Sequence, residues 1–180
     1  APLLLALQNL SEYHAATGNF QVVVDVEHDT AHVSPLISGE RLTFLGRGSA
    51  DTTVDFAGIG ADSVTVSPDR RSVSIALPAP RIAPAVIDPT ASRVVAHERG
   101  LLNRIASAFK SNPTSEQELY QLARIKLNEA AKASELSRRG EENTRQMLTT
   151  LARSLGFTHV TVTFDAPSPS DTARQASVSS

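Results

Sequence analysis

The sequence predicts an α+β domain: an antiparallel or mixed sheet of five to six strands with a long C-terminal helix packed on one face. Three observations carry this. Residues 115–155 form an alanine- and leucine-rich stretch with apolar residues at helical spacing, closed by Leu155-Gly156. Thr158-His159-Val160-Thr161-Val162-Thr163-Phe164 then alternates β-branched or aromatic residues with polar ones, the signature of a half-buried strand. Between residues 20 and 77, short β-rich runs recur with turn residues between them.

The N-terminal segment Ala1-Pro2-Leu3-Leu4-Leu5 resembles the end of a membrane anchor, but its apolar run is far shorter than the roughly 20 residues a bilayer span requires. With Leu7, Leu10 and Tyr13 it repeats at helical spacing, and Pro2 suits a first helical turn. Residues 1–17 are therefore expected to be an amphipathic N-terminal helix, stopping near Thr17-Gly18. Residues 18–165 are expected to form a single α+β domain.

Within that domain, Phe20 to Glu27 reads as the first strand. Arg41 to Gly48 leads into Thr52 to Phe56, a long bent strand or a pair broken at the glycines. Ser63 to Ser67 and Ser72 to Leu77 flank Pro68-Asp69-Arg70-Arg71, the clearest hairpin in the chain. Pro78, Pro80, Pro84 and Pro89 deny ladder hydrogen bonds, so their segment should cross a surface or an edge. Ser92 to His97 is one more strand or an irregular entry to a helix over Arg99 to Lys110, which stops before Asn112-Pro113.

Thr114 or Ser115 caps the long C-terminal helix, whose first turn carries Glu116 and Glu118. Leu119, Leu122 and Ile125 form one apolar row. Ala123, Leu127, Ala130, Ala131 and Ser134 form a second row of mostly small residues. Gly140 interrupts the pattern and marks a bend or slight break. From Ala166 onward Pro, Ser and Thr dominate, which predicts a disordered tail over 166–180.

Composition narrows the function. The 180 residues are 41% hydrophobic and 20% charged, which is globular. Seventeen basic residues against nineteen acidic ones give −2, too balanced to draw the domain to nucleic acid. Aromatics at 4% cannot furnish a base-stacking platform. The absence of cysteine excludes disulfides, thiolate catalysis and cysteine-based metal sites.

Motifs for catalysis are missing. Gly46-Arg47-Gly48 and Gly58-Ile59-Gly60 lack the third glycine and the following helix of a dinucleotide loop, and read as bulges or turns. No cofactor is expected. His28 and His32, with Asp25 nearby, are the weak candidates for a metal, but they fall in a polar loop without fixed geometry. His14, His97 and His159 are isolated in sequence and read as structural or surface histidines. Asp51, Asp55, Asp62 and Asp69 sit where turns favour Asp. Arg138, Arg139, Arg145 and Arg153 alternate with Glu135, Glu141 and Glu142 as a solvated helix face.

Several motifs in order support a comparison: Val54-Asp55-Phe56, Ile75-Ala76-Leu77-Pro78-Ala79-Pro80, Glu98-Arg99-Gly100-Leu101-Leu102, Ala130-Ala131, Glu142 to Leu148 and Ser154-Leu155-Gly156-Phe157. Together they resemble domain-of-unknown-function family 4230 in its actinobacterial form, over most of residues 3–165. The resemblance implies a bacterial protein with an N-terminal transmembrane anchor, upstream of the residues here, and a domain facing outward from the membrane. It carries no catalytic residues to transfer. The order of strands, proline-bearing crossing and long helix is also similar to stomatin/prohibitin-type scaffold domains, by analogy of pattern.

The expectation is thus a membrane-tethered, extracytoplasmic, non-enzymatic scaffold or interaction module, self-associating or binding an envelope protein. Ala123, Leu127, Ala130 and Ala131 are its candidate contact row, with internal packing as the competing reading. The alternative is a small-ligand or metal-binding domain.

Overall fold

The computed structural model describes residues 2–25, 43–95 and 113–166, together with 106, 107 and 110. Secondary structure is mixed α and β as expected, but the strands form two sheets of five and three strands rather than one. The chain folds as two compact units built from interleaved segments. The first unit comprises Ala1–Thr17, Asp51–Ala83 and Glu135–Ser180, and the second Gly18–Ala50 and Pro84–Ser134. Strands β1 (Glu12–Asp25) and β2 (Thr43–Asp55) each contribute residues to both.

In the first unit, helix α1 (Pro2–Leu10) buries Leu3 and Leu7, one turn apart. The helix stops at Leu10, seven residues short of the expected boundary. Ser11 turns left-handed at φ 53°, and its carbonyl accepts from Phe56 N at 2.7 Å and Ala57 N at 3.0 Å. Glu12 onward is strand, with Ala15 buried and its neighbours less so. Helical spacing of apolar residues extended to Tyr13, but sheet pairing outweighs so weak a local preference.

A 3-10 turn (Ala61–Ser63) leads to β3 (Val64–Val66) and β4 (Ser72–Leu77), the antiparallel hairpin expected. Its turn is closed locally. Asp69 accepts from the Ser67 hydroxyl and from Arg71 N at 3.1 Å, while Arg70 takes φ 56°. β5 (Arg81–Ile82) then pairs with β2 for two residues, as a proline-rich edge segment must.

The long C-terminal helix is two helices. α2 (Pro113–Ala133) belongs to the second unit and α3 (Leu136–Ser154) to the first. The break falls at Ser134-Glu135, not at Gly140. Gly140 is helical and buried because a Cβ there would meet Thr52, at 3.0 Å from its Cβ and closer still to its Cγ2. α3 buries Leu136, Gly140, Thr144, Leu148 and Ala152, a strict every-fourth-residue row.

The stop at Leu155-Gly156 is a Schellman motif. Gly156 sits at φ 100°, Phe157 N reaches Ala152 O at 3.2 Å and Gly156 N reaches Arg153 O at 3.0 Å. Strand β8 (His159–Phe164) then lies parallel to β4, Ser72 opposite His159 through Leu77 opposite Phe164. The sheet order is β3-β4-β8. Val73, Ile75 and Val162 share one core cluster with Leu3, Leu7, Phe56, Leu148 and Ala152.

In the second unit, β6 (Val86–Ile87) and β7 (Arg93–Val95) each pair antiparallel with β2. α2 buries Leu119, Ala123, Leu127 and Ala131, again every fourth residue. Val24, Phe44, Leu119 and Ala123 form the core, with Tyr120 packed edge-on to Phe44 at 5.4 Å. Gly46 and Gly48 are not at a turn. They lie in the middle of β2, where a Cβ on Gly46 would stand 2.8 Å from Ala123 Cβ and one on Gly48 2.9 Å from Leu127 Cδ1. Glycine on the strand and alanine on the helix together let the two backbones approach.

Candidate functional site

The first unit holds a trough of about 810 Å³ between α1, β1 and α3. α1 supplies Ala6 and Leu10, β1 supplies Tyr13 and Ala15 from the same strand face, and α3 supplies Asn143, Gln146, Met147, Thr150, Leu151 and Ser154. The α3 residues recur at three- and four-residue spacing over three turns, so they form one face about 17 Å long.

Every lining residue is uncharged. Most polar groups are already committed. Asn143 Nδ2 donates to Ala15 O at 2.8 Å, Thr150 Oγ1 to Gln146 O at 3.0 Å and Ser154 Oγ to Leu151 O at 2.6 Å. Tyr13 is fixed by stacking on Phe56, centroids 5.8 Å apart. Leu10 at the rim remains 44% exposed. The trough suits an apolar ridge and is lined by no carboxylate, imidazole, amine or guanidinium.

A polar cluster occupies the opposite face of β1. His14 lies between two carboxylates, Nδ1 3.3 Å from Asp51 and Nε2 3.4 Å from Glu12. Thr17 donates to Asp51 at 2.7 Å, and this hydroxyl, aided by His14, holds the Asp51 carboxyl below its usual range. A histidine–carboxylate pair invites comparison with nucleophilic catalysis. The hydroxyl here is spent on the carboxylate, however, and the histidine is 61% exposed. Exposed pairs of this kind contribute little energy.

The second unit has a smaller cleft of about 440 Å³ near Asn19 to Gln21, Arg47 to Ser49 and Val86 to Asp88. Arg47 Nε donates to Gln21 at 2.8 Å. Asp88 is absorbed by its own turn, accepting from Thr90 Oγ1 at 2.7 Å, Thr90 N at 2.9 Å and Ala91 N at 3.2 Å. Those bonds, the hydroxyl's foremost, depress its pKa.

The other sequence candidates are placed as follows. Ala123, Leu127 and Ala131 are fully buried, and Ala130 is half-buried. The first three pack inside the chain, so this row is core rather than a free contact surface. Asp25 ends β1, whereas His28 and His32 lie outside the described residues, as does His97. Among the described residues, no group of three or more His, Asp or Glu could hold a metal, and no helix is long and apolar enough to cross a membrane. Asp55 and Asp69 serve turns, Asp55 through Ala57 N at 2.9 Å. Arg138 pairs with Glu135 and Glu142, both at 2.7 Å, on the solvated helix face expected. Arg145 instead covers the Phe164 ring at 5.6 Å.

Sequence reasoning missed the trough, because Tyr13 was assigned to a helix.

The family model described as "Protein of unknown function (DUF4230)" matches residues 6–162. The chain belongs to the DUF4230 family. Comparison with curated proteins and with solved structures returned no match. The DUF4230 match runs from the second half of α1 to Val162 in β8, so trough, hairpin, α2 and α3 fall inside the family's extent. Nothing in it bears on the stomatin/prohibitin analogy or on an actinobacterial form.

Proposed function

We propose that this DUF4230 chain is a non-enzymatic interaction module whose trough in the first unit receives a short amphipathic helix of a protein partner. The supporting observation is the uncharged lining of the trough, whose α3 face sets Met147 and Leu151 among Asn143, Gln146, Thr150 and Ser154 and is long enough for about three helical turns. Helix-in-groove recognition reads apolar anchors three and four residues apart, which is the spacing the α3 face presents. A lining without charge selects an apolar ridge and rejects an acidic or basic one. Tethering to a membrane, an outward-facing domain and a scaffold role follow from the family resemblance, and they are part of the same proposal.

The test places a photo-reactive residue at Thr150 in the full-length protein within native membranes. The expected product is a cross-link to one protein segment with helical apolar spacing, lost when Gln146→Glu puts a charge in the trough. Cross-links to lipid alone, or none from Thr150, would refute the reading.

A second reading, a small-ligand domain, rests on the Arg47 cleft, whose volume lies within the ordinary ligand-pocket range of about 300–1,000 Å³. Its guanidinium suits a carboxylate. Loss of carboxylate-induced thermal stabilisation in Arg47→Ala would support it. The metal reading at Asp25, His28 and His32 falls mostly outside the described residues.

A further inference from the structure

The three-stranded sheet ends on β8, which has β4 on one side and, among the described residues, no strand on the other. The hydrogen-bond parity shows which groups face outward. His159 N donates to Arg71 O at 3.1 Å and Asp165 N to Leu77 O at 2.8 Å. Odd-numbered residues therefore address β4, because a strand residue sends its N–H and C=O to the same side. The backbone groups of Val160, Val162 and Phe164 consequently line the outer edge. Natural edge strands are guarded by Lys, Pro, bulges or brevity. Across His159 to Phe164 there is no Lys, Pro, Gly or bulge, and the six-residue ladder is regular.

We propose that the outer edge of β8 is an interaction surface for a second copy of this chain, pairing antiparallel about a two-fold axis at Val162. In that register Val162 faces the second copy's Val162, and Val160 faces its Phe164. Each outward-facing residue thus meets another, and each such pair exchanges two N–H···O bonds. Side chains match as well. Val160, Val162 and Phe164 are the more buried face of β8, and Thr161 and Thr163 the exposed one. Thr161 stands opposite the second copy's Thr163, a favourable cross-strand pair.

The ends supply a polar match. His159 stands opposite the second copy's Asp165, and the two-fold axis repeats the contact. Both residues are exposed. Shifting the axis to Thr161 keeps the faces matched but loses the pairing of Phe164 with Val160. Shifting by one residue would set threonines against valines. This site is separate from the trough and does not depend on it.

The absence of cysteine permits a direct test on the full chain. In the proposed register, Thr161 and the second copy's Thr163 form a non-hydrogen-bonded pair with Cα atoms about 4.5 Å apart, within disulfide range. The diagonal Thr161–Thr161 separation is about 7–8 Å, beyond it. Thr161→Cys mixed with Thr163→Cys should therefore give a covalent heterodimer on oxidation, while each variant alone should not. Val160→Pro removes outward donors but no β4 ladder bond. It should weaken self-association by about tenfold or more, from the two bonds lost across the axis, with an unchanged far-UV spectrum. His159→Asp should weaken association, and His159→Asp with Asp165→His should restore it. A chain monomeric at every concentration, no heterodisulfide, or equal cross-linking by each cysteine variant alone would overturn the proposal.

Discussion

Gly140→Ala should destabilise this protein, although the same change in an exposed helix interior stabilises it by about 1 kcal/mol. The sign is reversed by what stands opposite. A Cβ at this position would lie 3.0 Å from Thr52 Cβ and nearer to its Cγ2, far inside normal contact distance. Thr52 cannot swing aside freely, being fully buried with its hydroxyl donating to Leu136 O at 3.2 Å. Overpacking of this kind costs about 1–3 kcal/mol. Breaking the Thr52 bond adds about 1–3 kcal/mol for the buried groups left unsatisfied. After the helical gain of about 1 kcal/mol, a net loss of about 1–5 kcal/mol remains. Urea unfolding followed by circular dichroism measures it, and a double-mutant cycle with Thr52→Ser tests the cause. Removing Cγ2 while keeping the hydroxyl should recover much of the loss in the double variant. A neutral or stabilising Gly140→Ala, or strictly additive effects, would show that the α3–β2 contact is not what fixes glycine here.

Glycine at position 156 is required for a different reason. Gly156→Ala should cost about 1–2 kcal/mol because φ 100° is left-handed with nothing nearby to relieve, whereas Gly60→Ala at φ −105° should be close to neutral by the same urea assay. Stability should also fall in acid. The carboxyls of Asp51, Asp69 and Asp88 are each held below their ordinary pKa, foremost by the hydroxyls of Thr17, Ser67 and Thr90. A lowered folded-state pKa means the unfolded chain binds more protons. This stabilisation is therefore complete above the unfolded carboxylate pKa of about 3.9 and is lost as pH drops through the lower folded values. Urea midpoints across that window should flatten in Asp51→Asn with Asp69→Asn, and an unchanged acid slope would contradict the assignment.

Features whose cause is local were legible in the sequence. Pro68 to Arg71 forms its turn through its own side chains and backbone, and Leu155-Gly156 ends α3 through its own φ angle. The prolines after Leu77 restrict their segment to brief edge pairings. The alternation of β8 announced a strand half-buried under a helix, and its docking beside β4 follows that reading. Ala123, Leu127 and Ala131 were legible as a close-packing row of α2, whereas the buried α3 row of Leu136, Gly140, Thr144, Leu148 and Ala152 was hidden by its glycine and threonine.

What the tertiary structure alone decided was which element each residue faces. Tyr13 continued a helical pattern, yet pairing turned Glu12 onward into strand and so created the trough with α3. Gly46, Gly48 and Gly140 looked like breaks, and each is instead a place where a neighbouring element comes too close for a Cβ. Asp51 is far from His14 in sequence and beside it in space. A turn, cap or alternation is set by the chain within a few residues, so sequence alone determines it. Close approach, sheet membership and the two interleaved units depend on partners tens of residues away, which only the folded arrangement supplies.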